Sequence, residues 1–337
     1  MEAISLWLPI VWAAILAVAV ALYVILDGFD LGIGILFPVE PSETRRDQMM
    51  SSVAPFWDGN ETWLILGGGG LFVAFPHAYA VIMPALYLPI IIMLLGLVFR
   101  GVAFEFRWAA KPKHELWDIA FAGGSMVAAF MQGVVLGGLM QGIRVANGMF
   151  AGGPLDWFAP FPLVTGLALL SGYALLGSTW LIMKTEGPLV DQARRWAKWL
   201  LPATLVTLAI ISIWTPLAFD RIAERWFSWP NIAFLAPVPI LTAIIALFCW
   251  YGLIKGHVAT PFLSAIGLFL LGFIGLLISN VPYLVPPSMT VWEAAAVPES
   301  QIFTLIGVLF MLPLILGYTA FVYWTFRGKV REGEGYH

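Results

Sequence analysis

Six ionisable side chains stand in or beside apolar stretches that otherwise hold almost no charge: Asp27 and Asp30, Asp58 and Glu61, and Arg100 and Glu105. An ionisable group at lipid depth is costly, so these positions mark a candidate site. Each of the first two pairs is spaced by three residues, which puts both members on one face of a helix. Two kinds of chemistry suit such a group. The carboxylates can neutralise Arg100 and staple helices together as an ion-pair network, or they can bind and release protons in turn as a relay. The acids outnumber the arginines and repel one another unless some are protonated or hydrated, which favours the relay.

Other chemistries find little support. His77, His114, His257 and His337 fall at ends of apolar stretches, in connections or at the terminus, so an axial ligand for a buried heme is hard to supply. Cys249 is the single cysteine, which excludes a disulfide framework and a cysteine-ligated iron–sulfur cluster. Met131, Met140 and Met183 read as packing residues. The run Gly67 to Gly70, and the pairs Gly133/Gly137 and Gly138/Gly142, read as small-residue stripes for close helix approach, with no phosphate-binding role. No catalytic nucleophile and no metal site is expected.

The elements that must hold these groups are membrane helices. The chain has 337 residues, 61% hydrophobic and 11% charged. That composition leaves too little polar surface for a soluble enzyme, a nucleic-acid binder or a disordered chain. Nine apolar stretches are long enough to span, at about 7–37, 53–75, 78–99, 118–142, 160–183, 199–218, 231–254, 262–285 and 301–326. The second carries Asp58, Asn60 and Glu61 and is the least apolar.

Alternate connections collect the basic residues unequally. One side receives Arg45, Arg46, Arg100, Arg107, Lys111, Lys113, Lys184, Arg194, Arg195, Lys198, Lys255, Arg327, Lys329 and Arg331, and the other only Arg144, Arg221 and Arg225. This bias predicts a cytoplasmic C-terminus and an outside N-terminus, with all six buried-charge positions toward the cytoplasmic side. Met1-Glu2-Ala3 has no basic segment before the first apolar stretch, so that stretch reads as a retained helix. Tryptophans near expected helix ends, among them Trp7, Trp12, Trp157, Trp199, Trp229 and Trp324, read as an interfacial belt. With no long linker, residues 1–337 read as a single membrane domain.

Three motifs carry a resemblance. Asp27-Gly28-Phe29-Asp30-Leu31-Gly32, Trp57-Asp58-Gly59-Asn60-Glu61-Thr62-Trp63, and Phe99-Arg100-Gly101-Val102-Ala103-Phe104-Glu105-Phe106-Arg107 resemble subunit II of the cytochrome bd family of quinol oxidases, which includes the cyanide-insensitive oxidases. The resemblance covers the chain in length, span count and orientation. It implies an all-α integral membrane protein with two four-helix bundles, 1–142 and 160–285, plus a peripheral ninth helix, 301–326. It also implies a bacterial cytoplasmic (inner) membrane location and a heterodimer with a heme-bearing subunit I. That partner would hold two b-type hemes, heme d and the quinol site, in a complex that oxidises quinol and reduces oxygen to water. A small single-helix accessory subunit and a structural quinone occur in some members.

Residue by residue, Asp58 resembles the carboxylate of the subunit II proton pathway, with Asp27, Asp30, Glu61 and Glu105 beside it. Where the family often has Asp, this chain has Glu105. Arg100 matches a membrane-edge arginine that pairs with an acid, and Arg107 joins it as a charge-pairing residue. Trp57 and Trp63 match motif tryptophans, the latter resembling one on an oxygen route toward heme d. Two other readings stay open. A proton-coupled secondary transporter would use Asp27, Asp30 and Asp58 for coupling, although the later helices offer only Ser279, Asn280 and Pro282 as counterparts. A structural scaffold would use the charges for pairing alone.

Overall fold

A computed structural model describes residues 2–110 and 114–333. Met1, Lys111, Lys113 and His337 lie outside the described residues. The chain is built almost wholly from helices: α1 (Glu2–Leu36), α2 (Glu43–Ser51), α3 (Trp57–Ala74), α4 (Pro76–Ala109), α5 (Glu115–Gln141), α6 (Pro160–Lys184), α7 (Pro188–Ala218), α8 (Asp220–Phe227), α9 (Asn231–Leu235), α10 (Pro237–Lys255), α11 (Thr260–Asn280), α12 (Val291–Ala294) and α13 (Pro298–Thr325). Among the described residues, eight helical segments are long and apolar enough to cross a membrane. The short α3 forms where the second stretch was expected but is not among those eight, because its first two turns carry Asp58, Asn60 and Glu61.

Several boundaries differ from the apolar stretches for physical reasons. α4 continues past Phe99 for almost three more turns, so Arg100, Glu105 and Arg107 are helical rather than beyond the helix end. α7 begins at Pro188, with a polar first section holding Asp191, Arg194, Arg195 and Lys198. Hydropathy does not register a helix that runs on into water. The eighth stretch stops being helical at Asn280, since Pro282, Pro286 and Pro287 deny it backbone donors. Tyr283–Val285 (β3) pairs there antiparallel with Met289–Thr290 (β4). A smaller hairpin, Val145–Ala146 (β1) with Met149–Phe150 (β2), turns at Asn147 and Gly148, both at positive φ as a tight hairpin requires. Beyond it Arg144 and the Gly153 N–H both hold Asp156, and these bonds keep its carboxyl below the usual range. Not all tryptophans lie at an interface: Trp12 is buried and donates to Gln301 O at 3.2 Å.

Helix α6 is the most enclosed of the long helices, packing against α1, α5, α7 and α11. Its approach to α1 needs small residues. A methyl group on Gly32 would collide with the carbonyl of Tyr173, and one on Gly177 would lie 2.5 Å from the carbonyl carbon of Gly32. Gly133 and Gly137 meet α6 in the same way, at Thr165 and Pro162. The glycine run of α3 is different. Gly67 and Gly70 face Val20 and Leu16 of α1, whereas Gly68 and Gly69 meet nothing within 4 Å. Residues three apart share a face and the two between them turn away from it, so Gly68 meets no packing partner among the described residues. Gly32→Ala is expected to destabilise the fold by about 1–3 kcal/mol through overpacking. Gly272→Ala, with open space around it, is expected to be near neutral; thermal melts in detergent compare the two.

Candidate functional site

Three helices converge on one buried guanidinium. Arg100 of α4 is fully buried, and its Nη1 lies 2.6 Å from Asp27 Oδ1 and 3.6 Å from Glu61 Oε1. Its Nη2 is 4.0 Å from Asp30 Oδ2. Asp27 and Asp30 come from α1, three residues apart, and both are buried. Glu61 comes from α3 with its side chain 25% exposed, so it is the member of the group open to the outside. Arg100 can reach back to α1 because α4 and α5 touch at Gly96 and Gly124. A methyl group at Gly124 would lie 2.5 Å from Gly96 O and 2.9 Å from the backbone N of Arg100.

A residue of the site that sequence reasoning did not single out is Asn60. Its Nδ2 donates to Asp30 Oδ2 at 2.7 Å and to Leu26 O at 3.2 Å, and its Oδ1 accepts from the Tyr323 hydroxyl at 2.9 Å. On the other side, Tyr23 lies beside Asp27 and accepts from Gln132 Nε2 at 2.6 Å, and Gln132 Oε1 accepts from Tyr173 at 2.7 Å. Among the described residues, several buried polar atoms at the centre have no hydrogen-bond partner: Asp27 Oδ2, Asp30 Oδ1, Glu61 Oε1, and Nε and Nη2 of Arg100. Asn60 was legible, because it stands between two of the acids in one motif. Tyr23, Gln132, Tyr173 and Tyr323 carried no local signal.

The remaining expected residues are placed as follows. Asp58 lies on the exposed face of α3 and acts on Glu61 through its charge. Glu105 is exposed on α4 and is not among the groups around Arg100. Trp57 stacks on Phe104 with ring centres 4.9 Å apart. Trp63 is buried against Ala19 and Tyr23. Arg107 closes a separate network: it bonds Asp118 at 2.6 Å and Asp47 at 2.5 Å, while Arg46 bonds Asp118 at 2.7 Å. This second network ties α2, α4 and α5 together beneath the Phe37 ring.

Among the described residues no cluster of three or more His, Cys, Asp or Glu could hold a metal. His77 is exposed in the first turn of α4, His257 is exposed, and His114 is 3.5 Å from Glu43. Arg100→Leu leaves three acids without their shared cation, two of them fully buried. It is expected to cost about 3–5 kcal/mol, read as a large fall in melting midpoint or loss of the folded chain.

The sequence profile of the family described as cytochrome bd terminal oxidase subunit II matches residues 8–326. Cytochrome bd-I ubiquinol oxidase subunit 2 of Escherichia coli (strain K12) is 27% identical over 97% of this chain and 96% of its own length. Cytochrome bd ubiquinol oxidase subunit 2 of Bacillus subtilis (strain 168) is 27% identical over 96% of this chain and 97% of its own length. The fold is similar to that of a chain in the structure of bd oxidase from Geobacillus thermodenitrificans, with a TM-score of 0.79, 16% identity, and coverage of 95% and 98% of the two chains. The profile takes in the helices that supply Asp27, Asp30, Glu61 and Arg100, and the chain belongs to the cytochrome bd terminal oxidase subunit II family.

Proposed function

We propose that this chain is the non-heme subunit of a cytochrome bd-type terminal oxidase and carries a proton entrance on its cytoplasmic side. The observation that carries the proposal is one buried guanidinium facing three carboxylates. With all four groups ionised the cluster would hold a net charge of −2, which a low-dielectric interior does not sustain. A proton on one acid relieves it, and that proton needs a way in. Glu61 is part-exposed beside Arg100, and Asp58 is exposed three residues before it on α3. Asp27, tightly bonded to Arg100, serves as fixed counter-ion, so Asp30 and Glu61 are the exchanging pair. Glu105, exposed on α4, belongs to the same reading through its motif.

The rest of the reading follows the family. The partner is a heme-bearing subunit I with two b-type hemes and heme d, and the complex oxidises quinol and reduces oxygen to water. The histidine placement supports leaving the hemes to that partner. The chain forms one nine-span unit in the bacterial inner membrane, α3 included, with two four-helix bundles and α13 outside them. Its N-terminus faces outward, as the basic residues require. Trp57 and Trp63 border the oxygen route. A small accessory helix and a structural quinone belong to the same reading. The carrier alternative has weaker support, since its one later polar site is occupied in fastening helices. Arg221 bonds Ser279 O at 3.3 Å, and Trp226 bonds Ser279 Oγ at 2.9 Å.

The test is the complex carrying Asp30→Asn. It is expected to keep its reduced-minus-oxidised heme spectrum while oxygen reduction slows by about tenfold or more. Asp58→Asn, altering an exposed group, is expected to slow it less. Normal turnover with normal proton uptake in Asp30→Asn would reduce the cluster to a structural staple. A Soret band from this chain purified alone would overturn the assignment of the hemes to subunit I.

A further inference from the structure

Helix α13 fully buries Gln301, packs Leu305, Val308, Leu312 and Ile315 against the bundle, and sends one residue to the charge cluster. Tyr323 donates its hydroxyl to Asn60 Oδ1, and Asn60 donates to Asp30. We infer that Tyr323 is a positioning residue for Asp30, acting through the Asn60 side-chain amide, and that the segment after α13 exists in part to hold it there. The inference rests on the proton-entrance reading for its role in turnover, but its geometry stands independently.

The geometry is specific about direction. The Asn60 amide has three anchors: Leu26 O and Asp30 take its N–H groups, and the tyrosine hydroxyl occupies its oxygen. In that orientation Asn60 offers a donor to Asp30, which favours the ionised acid. Without the hydroxyl, a buried amide oxygen loses its donor and the amide is free to turn that oxygen toward Asp30, where only the protonated acid can bond to it. The other groups acting on Asp30 are Arg100 of α4, Asp27 on its own helix and Glu61 of α3.

The ring of Tyr323 is itself located. It stacks on Phe56 at 4.5 Å, with Trp180 at 6.5 Å. Just beyond, Lys184 Nζ donates to Phe326 O. Val330 N donates to Lys184 O at 2.8 Å, and Glu186 N donates to Val330 O at 3.2 Å. Gln48 Nε2 of α2 bonds both Val330 O and Glu186 O at 2.9 Å. The chain after α13 is thus laced to the α6–α7 turn, fixing the height of Tyr323 on the cluster.

The experiment uses the purified oxidase complex and the infrared C=O band of protonated Asp30, assigned by its loss in Asp30→Asn and titrated against pH. Tyr323→Phe keeps the ring and removes the hydroxyl. It is expected to move the titration midpoint upward by about half to one pH unit. In an Asn60→Leu background the same substitution is expected to move nothing. Fluorotyrosine at 323, a stronger donor, is expected to move the midpoint downward, and it serves where Tyr323→Phe does not assemble. A midpoint unmoved by either change, or a shift that persists without Asn60, overturns the inference. Normal turnover in Asp30→Asn would sink the proton-entrance reading instead and leave the band titration to decide this one.

Discussion

The guanidinium of Arg100 is the one group that α1, α3 and α4 all need. A buried cation is tolerated only when its hydrogen-bonding and charge demands are met locally, and here each helix supplies part of the answer. α1 gives two carboxylates, and α3 gives a third. Because the acids outnumber the cation, pairing is incomplete by construction. Polar atoms with no hydrogen-bond partner among the described residues gather at this locus on both the acid and the base. Around Arg107, two arginines bond two aspartates at 2.5–2.7 Å, and His114 adds a contact to Asp118 at 3.8 Å.

Reaching that arginine is a matter of helix spacing. Without hydrophobic pressure between helices in lipid, close contact depends on small residues at the crossing points. Gly96 against Gly124 brings α5 to the backbone of Arg100, and Gly32 against Gly177 brings α6 to the acidic helix α1. Large rings then close the space around the charges. Phe29 stacks on Trp180 at 4.2 Å, and Phe262 meets both rings edge-on. Tight backbones and stacked rings leave Glu61 as the part-exposed acid of the group, which is why its position at the edge matters more than its count among the carboxylates.

Much of this was readable before any coordinates. Ionisable residues in apolar runs are rare enough to identify themselves, and the spacing of Asp27 with Asp30 placed both on one helix face. The partnership of Arg100 with an acid followed from charge alone. What could not be read was how far apart in the chain the partners lie. Tyr323 is 263 residues from Asn60, and Gln132 is 109 residues from Tyr23. Nothing local distinguishes a tyrosine that anchors at an interface from one that ends in a hydrogen-bonded string. Asp58 is placed differently from its motif neighbours: helical geometry turns it to the exposed face while Asn60 and Trp63 point inward. Hydropathy likewise overran α11 into a hairpin, because apolar content persists through Val281, Leu284 and Val285 after proline has ended the helix.

Helix α13 makes a more general point about lipid as a solvent. A helix apolar on every side is driven to no single rotation by lipid itself, so its register against the bundle comes from packing and polar contacts. In α13 the polar contacts lie at the two ends. Near its start, Gln301 donates to Ala74 O at 2.8 Å and its carbonyl accepts from Trp12. Near its end, Tyr323 reaches Asn60, and the chain beyond is bonded to Lys184 and Gln48. Between them Leu305 and Val308 pack against one core cluster, and Leu312 and Ile315 pack against Ala19, Tyr23 and Trp63. The polar ends therefore add direction to a rotation that an apolar stripe also holds. The cost of leaving the Tyr323 hydroxyl unpaired in an apolar setting is what ties the rotation of this outer helix to the state of the charge cluster.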